Sequence, residues 1–363
     1  MTDPRAIATW RMRTQRLAGE PFATAPAAVR GLLAVQAENH SQASWAVAAR
    51  CDGLTVDEFD EVYDRGDILR THVLRPTWHY VTPDDIRWLL DITRPRLIRI
   101  YEQVAVQEGM DQATVARCTA TIVEALADRP DQTRNELGDR LAAEGLPASG
   151  RVLSTVVWNA ELEGVVCSGS LAGSSDHTYD LLERRAPDAR RLDDDEAMAE
   201  LVLRYFSSHG PASERDLAYW ATQTLTDIRS GLADVAPQLE SFELDGVTYW
   251  HGEPPPHDSA DAPRVHILQM LDEMYRGYQE TRSAIDVSGL DATHRGRAMG
   301  LLLVDGQALG DMKRTLRTAS VHFDVRAWRP LDEGELDALI DAAGRYGEYL
   351  GLPATVDVQT DRG

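Results

Sequence analysis

Three times along this 363-residue chain, a set of short helical segments gives way to two closely spaced strand-like segments. That recurrence constrains the fold more than any single motif. In the first set, apolar residues at helical spacing run through Ile7 to Leu17, Val29 to Val35 and Trp45 to Ala49. Thr55 to Glu58 has the form of a capping box and opens a helix that stops near Gly66. The β-branched and aromatic run Ile68 to Val81 follows, broken at Arg75-Pro76 as a hairpin would be. In the second set, Thr133 to Glu136 is a capping box, Gly145-Leu146-Pro147 ends its helix, and Arg151 to Leu162 supplies the next one. Its strands are Val165 to Ser168 and Thr178 to Leu182. In the third, Ala197 to Phe206 is helical, Ser213 to Asp216 caps a helix reaching Trp220, and Leu225 to Ala233 forms another. Leu239 to Leu244 and Val247 to Trp250 then flank Asp245-Gly246, a strong two-residue hairpin signal.

Helices followed by a hairpin is the winged-helix order, a helix-turn-helix with a β wing. The expected fold class is α+β, mainly α, with three tandem winged-helix domains and a small β-rich C-terminal domain. The boundaries are 1–110 for the first winged helix with a helical extension, 111–190 for the second, 191–257 for the third and 258–363 for the β-rich domain. Glu253 to Asp258, with three consecutive prolines, is a linker by composition. Beyond it, Val265 to Leu268, Gly300 to Gly306 and Ser320 to Val325 read as strands, and Leu336 to Leu350 as a closing amphipathic helix. After the first hairpin, Thr82 is a good N-cap, Pro83 suits the first helical position and Asp85 can close a capping box. A helix-turn-helix fits a major groove, but winged helices also serve protein contacts. Topology therefore leaves both kinds of partner open.

The net charge of -22 argues against non-specific binding to a polyanion, but it is unevenly spread. Residues 1–110 carry 13 Arg and 15 Asp plus Glu, a difference of -2; the remaining 24 basic and 44 acidic residues give -20. A nucleic-acid face is therefore expected in the N-terminal third. Lys313 is the only lysine, so nearly all positive charge is arginine, which suits bidentate phosphate contacts. No run of about 18 apolar residues occurs, so no membrane span is expected. Met1 to Arg5 lacks the apolar core of a signal peptide. Cys51, Cys118 and Cys167 are odd in number and widely separated, which predicts free thiols and a cytoplasmic location. The ten histidines show no metal-ligand spacing, and nucleotide-binding and nucleophile-elbow motifs are missing, so neither a metal nor a cofactor is expected.

Gln36-Ala37-Glu38 is placed at the end of an apolar helix. Residues two apart on a helix do not share a face, yet at a fraying end both side chains can approach one site. A Gln orients water and a Glu supplies a base or an anion; a plain polar helix terminus is the competing reading. Alternation puts His79 on the opposite strand face from Trp78 and Tyr80, where it touches a nucleic acid or bonds within the core. Arg70 and Arg75 of the hairpin, with Arg87, Arg94, Arg96 and Arg99 after it, are candidates for a phosphate-binding face, or for a solvated helix face balanced by Asp84, Asp85 and Asp91. Asp193 to Glu196 reads as a solvated helix start, and Tyr275, Tyr278 and Trp250 as packing.

The stretches Arg70 to Val81, Tyr205 to Trp220 and Gly306 to Arg314 together resemble bacterial winged-helix proteins related to AlkZ-type DNA glycosylases. The resemblance covers nearly the whole chain and implies excision of N-alkylated purines from double-stranded DNA; the protein is expected to be a monomer. It implies a catalytic Gln-x-Gln or Gln-x-acid motif, here Gln36 and Glu38, the second position lying nearer the acidic variant. It also implies DNA contact through the hairpin segment, assigned here to Arg70, Arg75, Thr77 and His79 with Arg87, Arg94 and Arg96 beyond it. A non-catalytic DNA-binding regulator and a protein-interaction scaffold are the alternatives.

Overall fold

The computed structural model describes residues 3–148, 150–173, 176–255, 264–290 and 300–360. Residues 256–258 of the expected linker lie outside them. The protein is mixed α and β. In chain order it begins with α1 (Pro4–Thr14), α2 (Ala25–Leu32), β1 (Val35–Gln36), α3 (His40–Ala48) and α4 (Val56–Arg65). The hairpin β2 (Leu69–His72) and β3 (Trp78–Val81) leads into α5 (Ile86–Gln107). Next come α6 (Gln112–Asp128), β4 (Gln132–Thr133), α7 (Arg134–Ala143), α8 (Gly150–Leu162), β5 (Val166–Ala172), β6 (Asp176–Leu181) and α9 (Leu182–Arg185). Then α10 (Asp194–His209), α11 (Glu214–Ala221) and α12 (Leu225–Val235) precede the hairpin β7 (Glu240–Leu244) and β8 (Val247–His251). The C-terminal part holds β9 (Val265–Leu268), α13 (Glu273–Arg276), β10 (Gly300–Val304), β11 (Gln307–Arg317), β12 (Ser320–Ala327), α14 (Glu333–Leu350) and β13 (Ala354–Thr360).

Local chemistry explains most helix starts. Capping boxes, in which an N-cap oxygen and an N3 carboxylate satisfy each other's backbone N–H groups, open α4, α7, α10, α11, α12 and α14. Asp193 and Glu196 form one of them, as their helix-start reading implied. Asp245 and Gly246 both take positive φ (50° and 77°), the two-residue turn that joins β7 to β8. The start of α5 departs from expectation. The helix begins at Ile86, not at Pro83, because the Asp85 carboxylate is spent elsewhere. It accepts from Thr82 Oγ1 (2.8 Å) and Trp88 Nε1 (3.0 Å), and pairs with Arg204 (2.8 Å) and Arg190 (3.0 Å).

Each of the first two hairpins gains a third strand that the sequence did not announce, giving the sheets β1-β3-β2 and β4-β6-β5. The C-terminal sheet runs β13-β12-β11-β10-β9, antiparallel except for β12 and β13, which are joined through α14. Of these strands β11 and β13 were not expected. One core cluster is shared by the first and third helical units. Leu69, Val73, Leu74, Val81, Trp88 and Leu89 pack in the same cluster as Leu201, Val202, Tyr205, Phe206, Trp220 and Tyr278. This shared core locks α5 and the first hairpin against α10 and α11, and a cleft opens along that seam. No helix among the described residues is long and apolar enough to cross a membrane.

Candidate active site

Gln36 does not end a helix. Helix α2 stops at Leu32, Leu33 turns the chain with φ 69°, and Val35-Gln36 becomes the edge strand β1 against β3. The pairings are Val35 with Tyr80 and Gln36 with His79, and Ala37 N–H donates to the Trp78 carbonyl at 2.7 Å. The correction changes the geometry in a useful direction. In extended backbone, residues two apart point to the same side, and Gln36 and Glu38 both line one open cleft of about 930 Å³. Gln36 is 5 % exposed, while Glu38 is exposed at the rim.

The segment carrying this pair is held on several sides. Arg70 donates from Nε to the Ala37 carbonyl (2.7 Å) and from Nη2 to the Glu38 carbonyl (3.2 Å), and its guanidinium lies 4.3 Å from the Trp78 ring centre. Trp78 donates its backbone N–H to Glu38 Oε2 (3.3 Å) and its indole N–H to the buried Glu161 (3.1 Å). Glu161 also meets His72 Nδ1 at 2.5 Å. From behind, the Gln36 N–H donates to Glu273 Oε1 (2.9 Å). Glu273 is fully buried; its Oε2 accepts from Trp220 Nε1 (2.7 Å), with His209 Nε2 at 3.6 Å and Arg75 Nη2 3.8 Å from Oε1. Burial pushes this carboxyl up, but His209 and the Arg75 charge outweigh it and hold it at about 2. Glu273 is therefore an anion at neutral pH.

His79 lies on the Gln36 side of the sheet, fully buried. Its Nδ1 donates to the Thr77 carbonyl (3.0 Å) and its Nε2 accepts from Arg75 (3.1 Å). Burial, with the Arg75 charge adding to it, pushes the imidazole down to about 3, so it is neutral. Of its two expected roles the structure gives it the one inside the core.

The cleft brings together Gln36, Glu38, Arg75, Thr77, Arg96 and Arg99 of the expected site, and it does not bring together the rest. Arg70, 2 % exposed, and His79 sit behind the wall. Arg87 lies nine residues before Arg96 on α5, half a turn out of phase at 100° per residue, and pairs with Glu183 at 2.5 Å. Arg94 is exposed and is not part of the lining. Sequence reasoning missed Tyr219, Thr222, Gln223 and Arg276, which reach the same cleft from α11, the turn after it and α13. It missed Glu273 as well. No local signal marks these residues, because they meet the hairpin only through the long-range core. Tyr275 and Tyr278 are buried, in keeping with their packing reading.

Two properties set this cleft apart. Four arginines (Arg75, Arg96, Arg99 and Arg276) face one carboxylate, Glu38, on a chain of net charge -22. In addition, Gln36 Oε1, Arg75 Nε, Thr77 Oγ1 and Arg276 Nε are buried without a hydrogen-bond partner among the described residues. Such atoms cost about 1–3 kcal/mol each unless water or a ligand satisfies them. A wall carrying four of them is suited to a polar, anionic guest. Away from the cleft, His322, Asp324 and Asp357 place ligand-type atoms within 4.8 Å of one another on the exposed face of β12 and β13.

A sequence profile of AlkZ-like DNA glycosylases matches residues 29–349. The chain belongs to the AlkZ-like DNA glycosylase family. Comparison with curated protein sequences gives no match. Among solved structures, the fold is similar to that of the Streptomyces sahachiroi DNA glycosylase AlkZ, with a TM-score of 0.76 and 18% identity. That superposition covers 98% of this chain and 100% of the other. The family match spans the cleft, the hairpin and nearly all of the C-terminal sheet.

Proposed function

We propose that this protein is a DNA glycosylase that hydrolyses the N-glycosidic bond of N7- or N3-alkylated purines in double-stranded DNA, acting as a monomer. The observation that carries the reading is the side-by-side placement of Gln36 and Glu38 in an arginine-lined cleft. An N-alkylated purine is already cationic, so its bond to C1′ needs little acid assistance. What it needs is a negative charge near the oxocarbenium-like sugar and a positioned water. Glu38, exposed at the rim, supplies the charge and takes the proton of the attacking water. The Gln36 side-chain oxygen accepts a hydrogen bond from that water and orients it. As the C1′–N bond breaks, its electron pair leaves with the base, and the water oxygen bonds to C1′.

In this reading Arg75, Thr77 and Arg96 contact the DNA backbone along the cleft, with Arg94 beside them. Arg70 and His79 act from within, one holding the 36–38 segment and the other seating Arg75. The three helix–hairpin units are read as winged helices, with boundaries placed at 110, 190 and 257.

The test is base release from a duplex carrying one N7-alkylguanine, read as alkali-labile strand scission. Glu38→Ala should lower the rate at least about 100-fold while duplex affinity stays nearly unchanged. Wild-type protein that binds duplex in a salt-dependent manner but releases no base from any alkylated purine would leave a DNA-binding protein without catalysis.

A further inference from the structure

The part of the cleft lining supplied by α11 and α13 is built from residues that no feature of the motif announces. Tyr219, on α11, is half-buried there beside Arg276 of α13. The positive charges of Arg75, Arg282 and Arg276 all bear on its phenol. Behind them Arg282 lies 4.4 Å from the Tyr275 ring centre and 5.8 Å from that of Tyr219. The main chain of Arg276 is anchored, because its carbonyl accepts from Arg75 Nη1 at 3.0 Å. Its Nε is one of the buried donors without a partner. The site thus places a guanidinium, on an anchored main chain, and a phenol inside the fields of Arg75 and Arg282.

We propose that Tyr219 and Arg276 form a phosphate subsite that grips one backbone phosphate of the bound duplex, in the same cleft as the reacting sugar. The inference rests on the glycosylase reading only for the identity of the duplex as guest. A guanidinium that only donates, beside a phenol that can donate, selects an anion. A planar guanidinium matches phosphate geometry, and Glu38 is the one carboxylate among the lining residues, against four arginines. The titration of Tyr219 agrees. Partial burial pushes its phenol up, yet Arg276, with the charges of Arg75 and Arg282, brings it below the ordinary tyrosine value. An aromatic residue meant only to pack would not be placed among three cations.

The experiment measures duplex affinity by fluorescence anisotropy between about 50 and 200 mM salt, using lesion-bearing and unmodified DNA, for wild type, Arg276→Ala, Arg276→Lys and Tyr219→Phe. Arg276→Ala should weaken both duplexes about tenfold and reduce the slope of log K against log salt by about 0.9. Tyr219→Phe should weaken both by about threefold, roughly one neutral hydrogen bond, and Arg276→Lys should restore the slope without restoring the full affinity. In base-release assays the loss should fall on KM more than on kcat. Unchanged affinity and slope in Arg276→Ala would overturn the proposal, as would a loss of kcat at unchanged affinity, which would put the pair at the reacting base. Displacement of the duplex by millimolar inorganic phosphate, at constant ionic strength, would assign the subsite to a free anion instead. Base release that fails in wild type while the Arg276 effects persist sinks the glycosylase reading alone. Base release that succeeds without those effects sinks only the subsite.

Discussion

Helix α5 separates two depressions of opposite character. On one side Arg96, Arg99 and Ile100 face the cleft with Gln36 and Glu38. On the other, a smaller pocket of about 320 Å³ is lined by Asp91, Asp194, Asp195, Asp227 and Asp234. Arg96 and Gln223 belong to both, and the ion pair between Arg96 and Asp227 (2.9 Å) stands on the boundary. The acidic pocket has no buried, unpartnered polar atom among the described residues that line it, whereas the cleft has four. Its carboxylates are solvated or capping helices: Asp194 and Asp195 lie in the first turn of α10, and Asp227 closes the capping box of α12. Net charge therefore misleads about partners here. Electrostatic screening over roughly 8–10 Å lets a polyanion meet the local field of the cleft rather than the -22 of the chain.

Removing Arg75 is the severest way to break the contrast. Its guanidinium lines the cleft but is buried, and it sits between Glu273 and His79. Arg75→Ala leaves the buried Glu273 anion without its cation and should cost about 3–5 kcal/mol of folding stability. Asp194→Ala, on the acidic side, should cost well under about 1 kcal/mol. Urea midpoints measured side by side decide this, and equal losses would mean that the cleft wall is no more built than the pocket.

The buried network also predicts a pH window. His79 is held at about 3, below its ordinary 6.5, so the unfolded chain takes up a proton first as the pH falls. Its contribution is complete above about 6.5 and is lost progressively toward 3. His177, which burial also pushes down to about 3, acts in the same window. Glu273, held at about 2 against an ordinary 4.5, contributes above 4.5 and loses that contribution between 4.5 and 2. Thermal midpoints should therefore fall from about pH 6.5 downward, in two stages. His79→Gln, which can still donate to Thr77 and accept from Arg75, should flatten part of the first stage and leave the second. A flat profile between pH 7 and 5 in wild type would contradict the burial of His79.

What the sequence revealed and what it hid divide along the same lines as local and long-range forces. Capping boxes such as Thr133 with Glu136, and the Asp245-Gly246 turn, are satisfied within a few residues, so their helices and hairpin were legible. The start of α5 was not, since Asp85 answers to Arg190 and Arg204, more than 100 residues away. The Gln-x-Glu pair was legible as a motif but was placed on the wrong backbone. Strand β1 exists because β3 offers it an edge, and Leu33 turns against its own steric preference to reach it. Tyr219, Arg276 and Glu273 were invisible for the same reason: each gains its place only when the third helical unit and the C-terminal segment close on the hairpin.

The smallest effect sharpens the comparison most, because it perturbs the boundary without touching the cleft wall. Asp227 pairs with Arg96 while serving the cap of α12 through Thr224. Asp227→Asn keeps an oxygen for the cap and removes the charge that competes for Arg96. If Arg96 faces a phosphate when DNA is bound, the substitution frees it, and duplex affinity should rise by about twofold at low salt, an exposed ion pair being worth roughly 0.2–1 kcal/mol. The gain should vanish toward about 1 M salt, where the Debye length shrinks to about 3 Å. Asp234→Asn, in the same pocket but not paired with Arg96, should change affinity less. A fall in affinity for Asp227→Asn would mean that Asp227 holds Arg96 in its DNA-binding position rather than competing for it, and the boundary would then belong to the cleft.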